Sequence, residues 1–117
     1  MTTDNIKRLN IKYGTKELER DYGPLTFAKI LVAHRLAENM TQKDYAQLLG
    51  ISQQSLCDLE KGRKMPSPER VAKIAHKLKE PPDFWLTIAL QDLLRAHKLY
   101  YDITMSTTSK PRVKKAS

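Results

Sequence analysis

The stretch TQKDYAQLLGISQQSLCDLEKGRKMPSPERVAKIAHKL, residues 41–78, decides the fold, because every helix in it carries its own start and stop signal. Thr41-Gln42-Lys43-Asp44 has the form of a capping box, in which a hydroxyl accepts from a backbone N–H three residues on. It opens a short helix with Tyr45, Ala46, Leu48 and Leu49 facing inward. Gly50 ends that helix, since a residue without a Cβ enters the left-handed conformation at little cost. Ser52 then caps a second short helix with Leu56 and Leu59 on its inner face, and Gly62 closes it. Ser67 caps a third, with Pro68 at the first helical position, where a missing N–H costs nothing. Its inner residues are Val71, Ile74, Ala75 and Leu78.

Outward from this block the punctuation continues. Thr26 caps a preceding helix whose apolar face is Phe27, Ile30, Leu31 and Ala37, ending near Glu38 or Asn39. Downstream, Pro81-Pro82 forbids continuation of the Ser67 helix. Asp83 is expected to cap a fifth helix running to about His97. Two outer segments have a different period. Leu9, Ile11 and Tyr13 alternate with polar residues, as do Leu99, Tyr101, Ile103 and Met105 with Tyr100, Asp102 and Thr104, the period of two of half-buried strands. These are expected to pair with each other or with a second copy of the chain, Leu99, Tyr101 and Ile103 facing the fifth helix. Residues 106–117, rich in Ser, Thr and Lys, read as a disordered basic tail.

Composition limits the function. The chain has 117 residues, 40% apolar and 29% charged, which suits one small globular domain with appendages. Lys and Arg number 21 against 13 Asp and Glu, a net charge of +8 that makes a polyanion the first partner to consider. The basicity is uneven: residues 25–80 carry +4 and residues 110–117 another +4, whereas 81–109 carry −1. The longest apolar run, Phe84–Leu90, is far below the roughly 20 residues that cross a bilayer, so no membrane is implied. The N-terminus lacks the apolar core of a signal peptide, and the single cysteine, Cys57, forms neither an internal disulfide nor a thiolate cluster. A cytoplasmic location is expected. His34, His76 and His97 lack metal-ligand spacing, and no Ser/His/Asp or Cys/His set is visible, so neither a metal, a cofactor nor an enzyme is implied.

Two short helices joined by a tight turn on Gly50 and Ile51, the second presenting small polar residues, have the geometry that sets a recognition helix in the major groove of DNA. Residues 27–80 resemble the Cro/CI-type (XRE) helix-turn-helix family. Arg35, Thr41-Gln42, Ala46, Gly50-Ile51-Ser52, Leu56, Leu59-Glu60-Lys61-Gly62 and Pro66-Ser67 fall at the family's spacing without an insertion. Tyr45 stands where that family usually has Leu, and His34 where it is usually aliphatic. Together with the alternating segments, the resemblance implies a mainly α chain: a five-helix lambda-repressor-like helix-turn-helix domain with short terminal β-strands. The expected organisation is an N-terminal arm (1–24), the DNA-binding domain (25–80), a C-terminal helix and strand for dimerisation (81–105), and the tail (106–117).

With 3.6 residues per turn, Gln53, Gln54, Cys57, Asp58 and Lys61 share the outward face of the presumed reading helix. A glutamine carboxamide can meet adenine N6 and N7 together, and Ser52 and Ser55 can bond a base edge or a phosphate. Ser52, Gln53, Gln54 and Ser55 are therefore the expected base readers. Gln53-Gln54-Ser55 also resembles the recognition helices of lambdoid phage repressors. Lys61, Arg63 and Lys64 follow directly and suit phosphate contact, a role that the resemblance also implies for Gln42. The resemblance makes Arg35 and Glu60 an internal ion pair. On the fifth helix Trp85, Leu86, Ile88 and Leu90 cover more than one stripe and are expected at a homodimer interface. The implied function is a sequence-specific transcriptional regulator, a repressor that binds a palindromic operator in double-stranded DNA as a dimer. Chain size and the compact C-terminal extension also resemble HigA-type antitoxins, which bind a ribonuclease toxin and autoregulate their operon.

Overall fold

The computed structural model describes residues 23–106 and 108. Five helices lie among them: α1 (Phe27–Ala37), α2 (Gln42–Leu49), α3 (Gln53–Glu60), α4 (Pro68–Lys77) and α5 (Pro82–Ala96). Thr26, Thr41, Ser52 and Ser67 cap the first four. Each sits in extended backbone with its hydroxyl accepting from the N–H three residues on, those of Lys29, Asp44, Ser55 and Arg70. α5 starts differently from the expectation. Pro81 is its N-cap and Pro82 its first helical residue, with no side-chain cap, because proline's preset φ begins the helix before Asp83 is reached. Asp83 instead accepts from the Phe84 N–H at 2.9 Å.

All five helices end alike. Asn39, Gly50, Gly62, Lys79 and Lys98 have φ between 56° and 71°, the left-handed region. The next N–H then reaches back five residues: Met40 to Arg35, Ile51 to Ala46, Arg63 to Asp58, Glu80 to Ala75 and Leu99 to Leu94, at 2.8–3.1 Å. This satisfies carbonyls that a helix end otherwise leaves open. The two glycines were legible in the sequence; the asparagine and the two lysines take the same conformation against the steric cost of a Cβ.

The inner faces of all five helices form a single core. Ile30, Leu31, Tyr45, Leu56, Val71, Ala75 and Trp85 are at most 1% exposed. Two positions assigned to a dimer interface from sequence, Trp85 and Ile88, lie in this core at 1% and 8% exposure. Trp85 meets Phe27 edge-on at 5.9 Å between ring centroids and His34 at 6.1 Å, so α5 closes the core over α1. Asp92 on α5 also accepts the Phe27 N–H at 2.8 Å and pairs with Arg95 at 2.8 Å, tying α5 to the start of α1. Leu48, expected inside, is 45% exposed on the outer side of α2.

No strand occurs among the described residues, which corrects the expected C-terminal strand; the segment Leu9–Tyr13 lies outside them, as do most of the N-terminal arm and tail. Residues 99–105 run alongside α5 without a ladder partner. The carboxamide of Gln91 meets their backbone instead: its Nε2 donates to the Tyr101 carbonyl at 2.9 Å and its Oε1 accepts from the Ile103 N–H at 2.6 Å. Ile103 and Met105 are half-buried there, whereas Leu99 and Tyr101, expected to face α5, are 46% and 69% exposed.

Candidate nucleic-acid interface

The α2–α3 turn fixes the direction of α3. Gly50 at φ 71° reverses the chain in two residues, and half-buried Ile51 anchors the turn on the core. Lys77 of α4 donates to the Leu49 carbonyl at 3.0 Å, placing a cation at the C-terminal end of α2, where the helix dipole favours it. A second tie joins the C-terminal ends of α1 and α3. Glu60, the last residue of α3, accepts from Arg35 Nε at 2.7 Å and from Arg35 Nη2 at 3.1 Å, a two-pronged pair joining α1 to α3. Arg35 Nη1 also donates to the Met40 carbonyl at 3.1 Å. The Arg35–Glu60 pair expected from sequence is thus present, and its Glu60 side chain is only 4% exposed.

Gln42 belongs to the same cluster. Its Nε2 donates to Glu60 Oε1 at 2.9 Å, so the residue expected at phosphate is held by an internal carboxylate in the free chain. Its carboxamide oxygen and second amide proton are not used in that bond.

The four expected base readers stand together at the start of α3, with Ser52, Gln53 and Gln54 exposed and Ser55 half-buried. Their side chains are not equivalent. Ser52 accepts the Ser55 N–H at 3.0 Å and donates to Ser55 Oγ at 3.0 Å, so its hydroxyl is occupied by capping. Ser55 keeps its own hydroxyl proton. Gln53 makes no side-chain hydrogen bond to the described residues. Gln54 donates from Nε2 to Asp58 Oδ1 at 3.1 Å, one turn along the helix.

Lys61, Arg63 and Lys64 are exposed after α3. Arg63 Nη1 lies 3.3 Å from Asp58 Oδ1 and Lys64 Nζ lies 3.8 Å from Asp58 Oδ2. The Asp58 side chain, 13% exposed, thereby gathers one expected base reader and two expected phosphate contacts. On α4, exposed Arg70, Lys73 and Lys77 recur at helical spacing and border a cleft of about 650 Å³ beside the Leu49–Ile51 turn. That basic stripe is legible in the sequence from its spacing of three and seven residues. Among the described residues, no helix is long and apolar enough to cross a membrane.

Residues 31–85 match a family model described as helix-turn-helix. Over 72 residues the chain is 37% identical to the endothelial differentiation-related factor 1 homolog of Gallus gallus, an alignment covering 62% of this chain and 47% of that protein. The chain therefore spans about half the length of the curated relative it matches. No solved structure gives a significant match.

Proposed function

Because residues 31–85 are an XRE-type helix-turn-helix domain, a DNA-binding module of transcription regulators, we propose that this chain is a sequence-specific repressor that occupies a palindromic operator as a homodimer. The observation that carries this reading is the exposed start of α3, where Gln53 and Gln54 stand side by side with Ser55 on a firmly anchored helix. Two carboxamides there suit adenine edges in the major groove. Ser52 contributes through the cap that fixes the helix start. Lys61, Arg63 and Lys64 contact the phosphate backbone, joined by Gln42 at the start of α2, and hold α3 in register without reading sequence.

The second copy docks on the outer side of α5. Leu86 and Leu90 are half-buried, and Leu93 and the neighbouring Met65 are 40% and 49% exposed, giving an apolar stripe that the described residues leave open. Trp85 and Ile88 support that face from the core. Selection of bound duplexes from a random library tests the reading. Two adenine-containing half-sites about 34–36 Å apart are expected, and failure to enrich any sequence would overturn it.

One observation favours a second role, inhibition of a toxin in the manner of HigA-type antitoxins. Tyr100 and Tyr101 project from residues 99–105 at 77% and 69% exposure, an aromatic pair suited to a protein partner. Co-expression with the product of an adjacent gene and recovery of a complex would support it; a chain that leaves that product's ribonuclease activity intact would exclude it.

A further inference from the structure

The Asp58 cluster holds a carboxylate where a DNA-binding surface would ordinarily exclude one. Asp58 is on the reading face of α3, next to the phosphate chain in the proposed complex, and a bare negative charge there opposes binding. The structure gives it three partners instead: Gln54 at 3.1 Å, Arg63 at 3.3 Å and Lys64 at 3.8 Å. Resting on the DNA-reading proposal above, we infer that Asp58 is a positioning residue that sets specificity in two ways.

The first concerns Gln54. A carboxamide has two N–H donors and one carbonyl acceptor. Donation of one N–H to Asp58 leaves the second N–H and the oxygen, which are the two groups that adenine N7 and N6 require. Asp58 therefore fixes the rotamer of Gln54 without consuming its reading capacity, and the reader is ordered before it meets the base. The second concerns the cations. Arg63 and Lys64, at 55% and 71% side-chain exposure, are free to swing to phosphate but are drawn back to Asp58 in the free protein. Every phosphate contact they form must displace that attraction. The penalty is the same on any DNA, so it weakens non-specific binding, while the ordered Gln54 recovers affinity only at the right base.

The two effects separate in two substitutions. Asp58→Asn removes the charge but keeps an oxygen that can accept from Gln54; Asp58→Ala removes both. Competition binding to the selected duplex and to a scrambled one, across a range of salt, is the measurement. Asp58→Asn is expected to bind both duplexes more tightly, with a log–log salt slope steeper by about one, and to keep the adenine preference at the Gln54 position. Asp58→Ala is expected to show the same steeper slope but to lose roughly tenfold in that preference. Thermal unfolding of both variants controls for folding, and the Asn variant alone decides the charge effect if the Ala variant is unstable. Unchanged salt slope and unchanged discrimination, or weaker binding of Asp58→Asn to both duplexes, would overturn the role of Asp58. A wild-type chain that selects a clear site while the Asp58 variants behave like it leaves the DNA-reading proposal standing. A wild-type chain that selects no site overturns both.

Discussion

His34 Nδ1 and the Tyr45 hydroxyl lie 2.8 Å apart in the core, joining α1 to α2 at the two positions where the sequence departs from the aliphatic residues usual in the family it resembles. The departures compensate each other. Each polar side chain is buried, and each supplies the other's hydrogen-bond partner; no buried side-chain nitrogen or oxygen among the described residues lacks one. Burial pushes the His34 imidazole below its ordinary value, against a smaller opposing pull from Glu38, and drives the Tyr45 phenol well upward. Both groups are therefore neutral in the folded chain near pH 7.

That burial predicts an acid-sensitive core. The folded state holds His34 at a lower pKa than the unfolded chain, so its contribution is complete above the ordinary value of 6.5 and is lost as pH falls from there through the folded value. Melting temperature followed from pH 7.5 to 5 is expected to fall in this window. The double variant His34→Leu, Tyr45→Phe removes both polar partners and is expected to flatten that part of the profile. An identical profile for the double variant would assign the acid sensitivity to other groups.

The Arg35–Glu60 pair is predicted to matter for stability more than a surface ion pair does. Glu60→Gln leaves the guanidinium of Arg35 facing a neutral partner in a mostly buried site, with an expected loss of about 3 kcal/mol in denaturant unfolding. The same change removes the negative charge to which Gln42 Nε2 donates. A loss near zero would show that water compensates the arginine.

The helix ends give a prediction of opposite signs. Gly50→Ala puts a Cβ into the left-handed region and 2.8 Å from Lys77 Nζ, at an expected cost of about 1–2 kcal/mol. Lys79→Gly relieves the same conformation at φ 58° and is expected to stabilise by several tenths of a kcal/mol to about 1. Midpoints of urea unfolding shifting in the same direction for both variants would contradict this account.

On DNA, Gln53→Ala and Gln54→Ala are each expected to lose about 1–3 kcal/mol on the selected site and little on scrambled duplex. Lys61→Ala, Arg63→Ala and Lys64→Ala should weaken both, each lowering the salt slope by about one. Equal losses on both duplexes for the glutamine variants would remove them from base reading.

The two faces of α5 should separate in solution. Leu93→Glu is expected to leave the helices intact and yield monomers in sedimentation at tens of micromolar, whereas Trp85→Ala should destabilise the fold by about 3–5 kcal/mol through the cavity it leaves. A wild-type chain sedimenting as a monomer at that concentration would rule out the proposed dimer.

The helix boundaries of the helix-turn-helix block were legible in the residues alone, because their signals are local: a cap hydroxyl acts on an N–H three residues away, and Gly50 and Gly62 end helices by their own φ. The outward face of α3 followed from helical period alone. Relationships between distant residues came from the packing of the helices. Trp85 and Leu93 read alike as apolar positions on one helix, yet packing against Phe27 and His34 buries the first and leaves the second exposed. Asp92 caps a helix 65 residues earlier in the chain, and Glu60 meets Arg35 across 25. The alternation at residues 99–105 was real in the sequence but gave no strand, since a ladder needs a partner and Gln91 satisfied part of the backbone from the side of α5. Local backbone chemistry is written in neighbouring residues. Which polar group meets which, and which apolar face stays open, depends on how the helices stack.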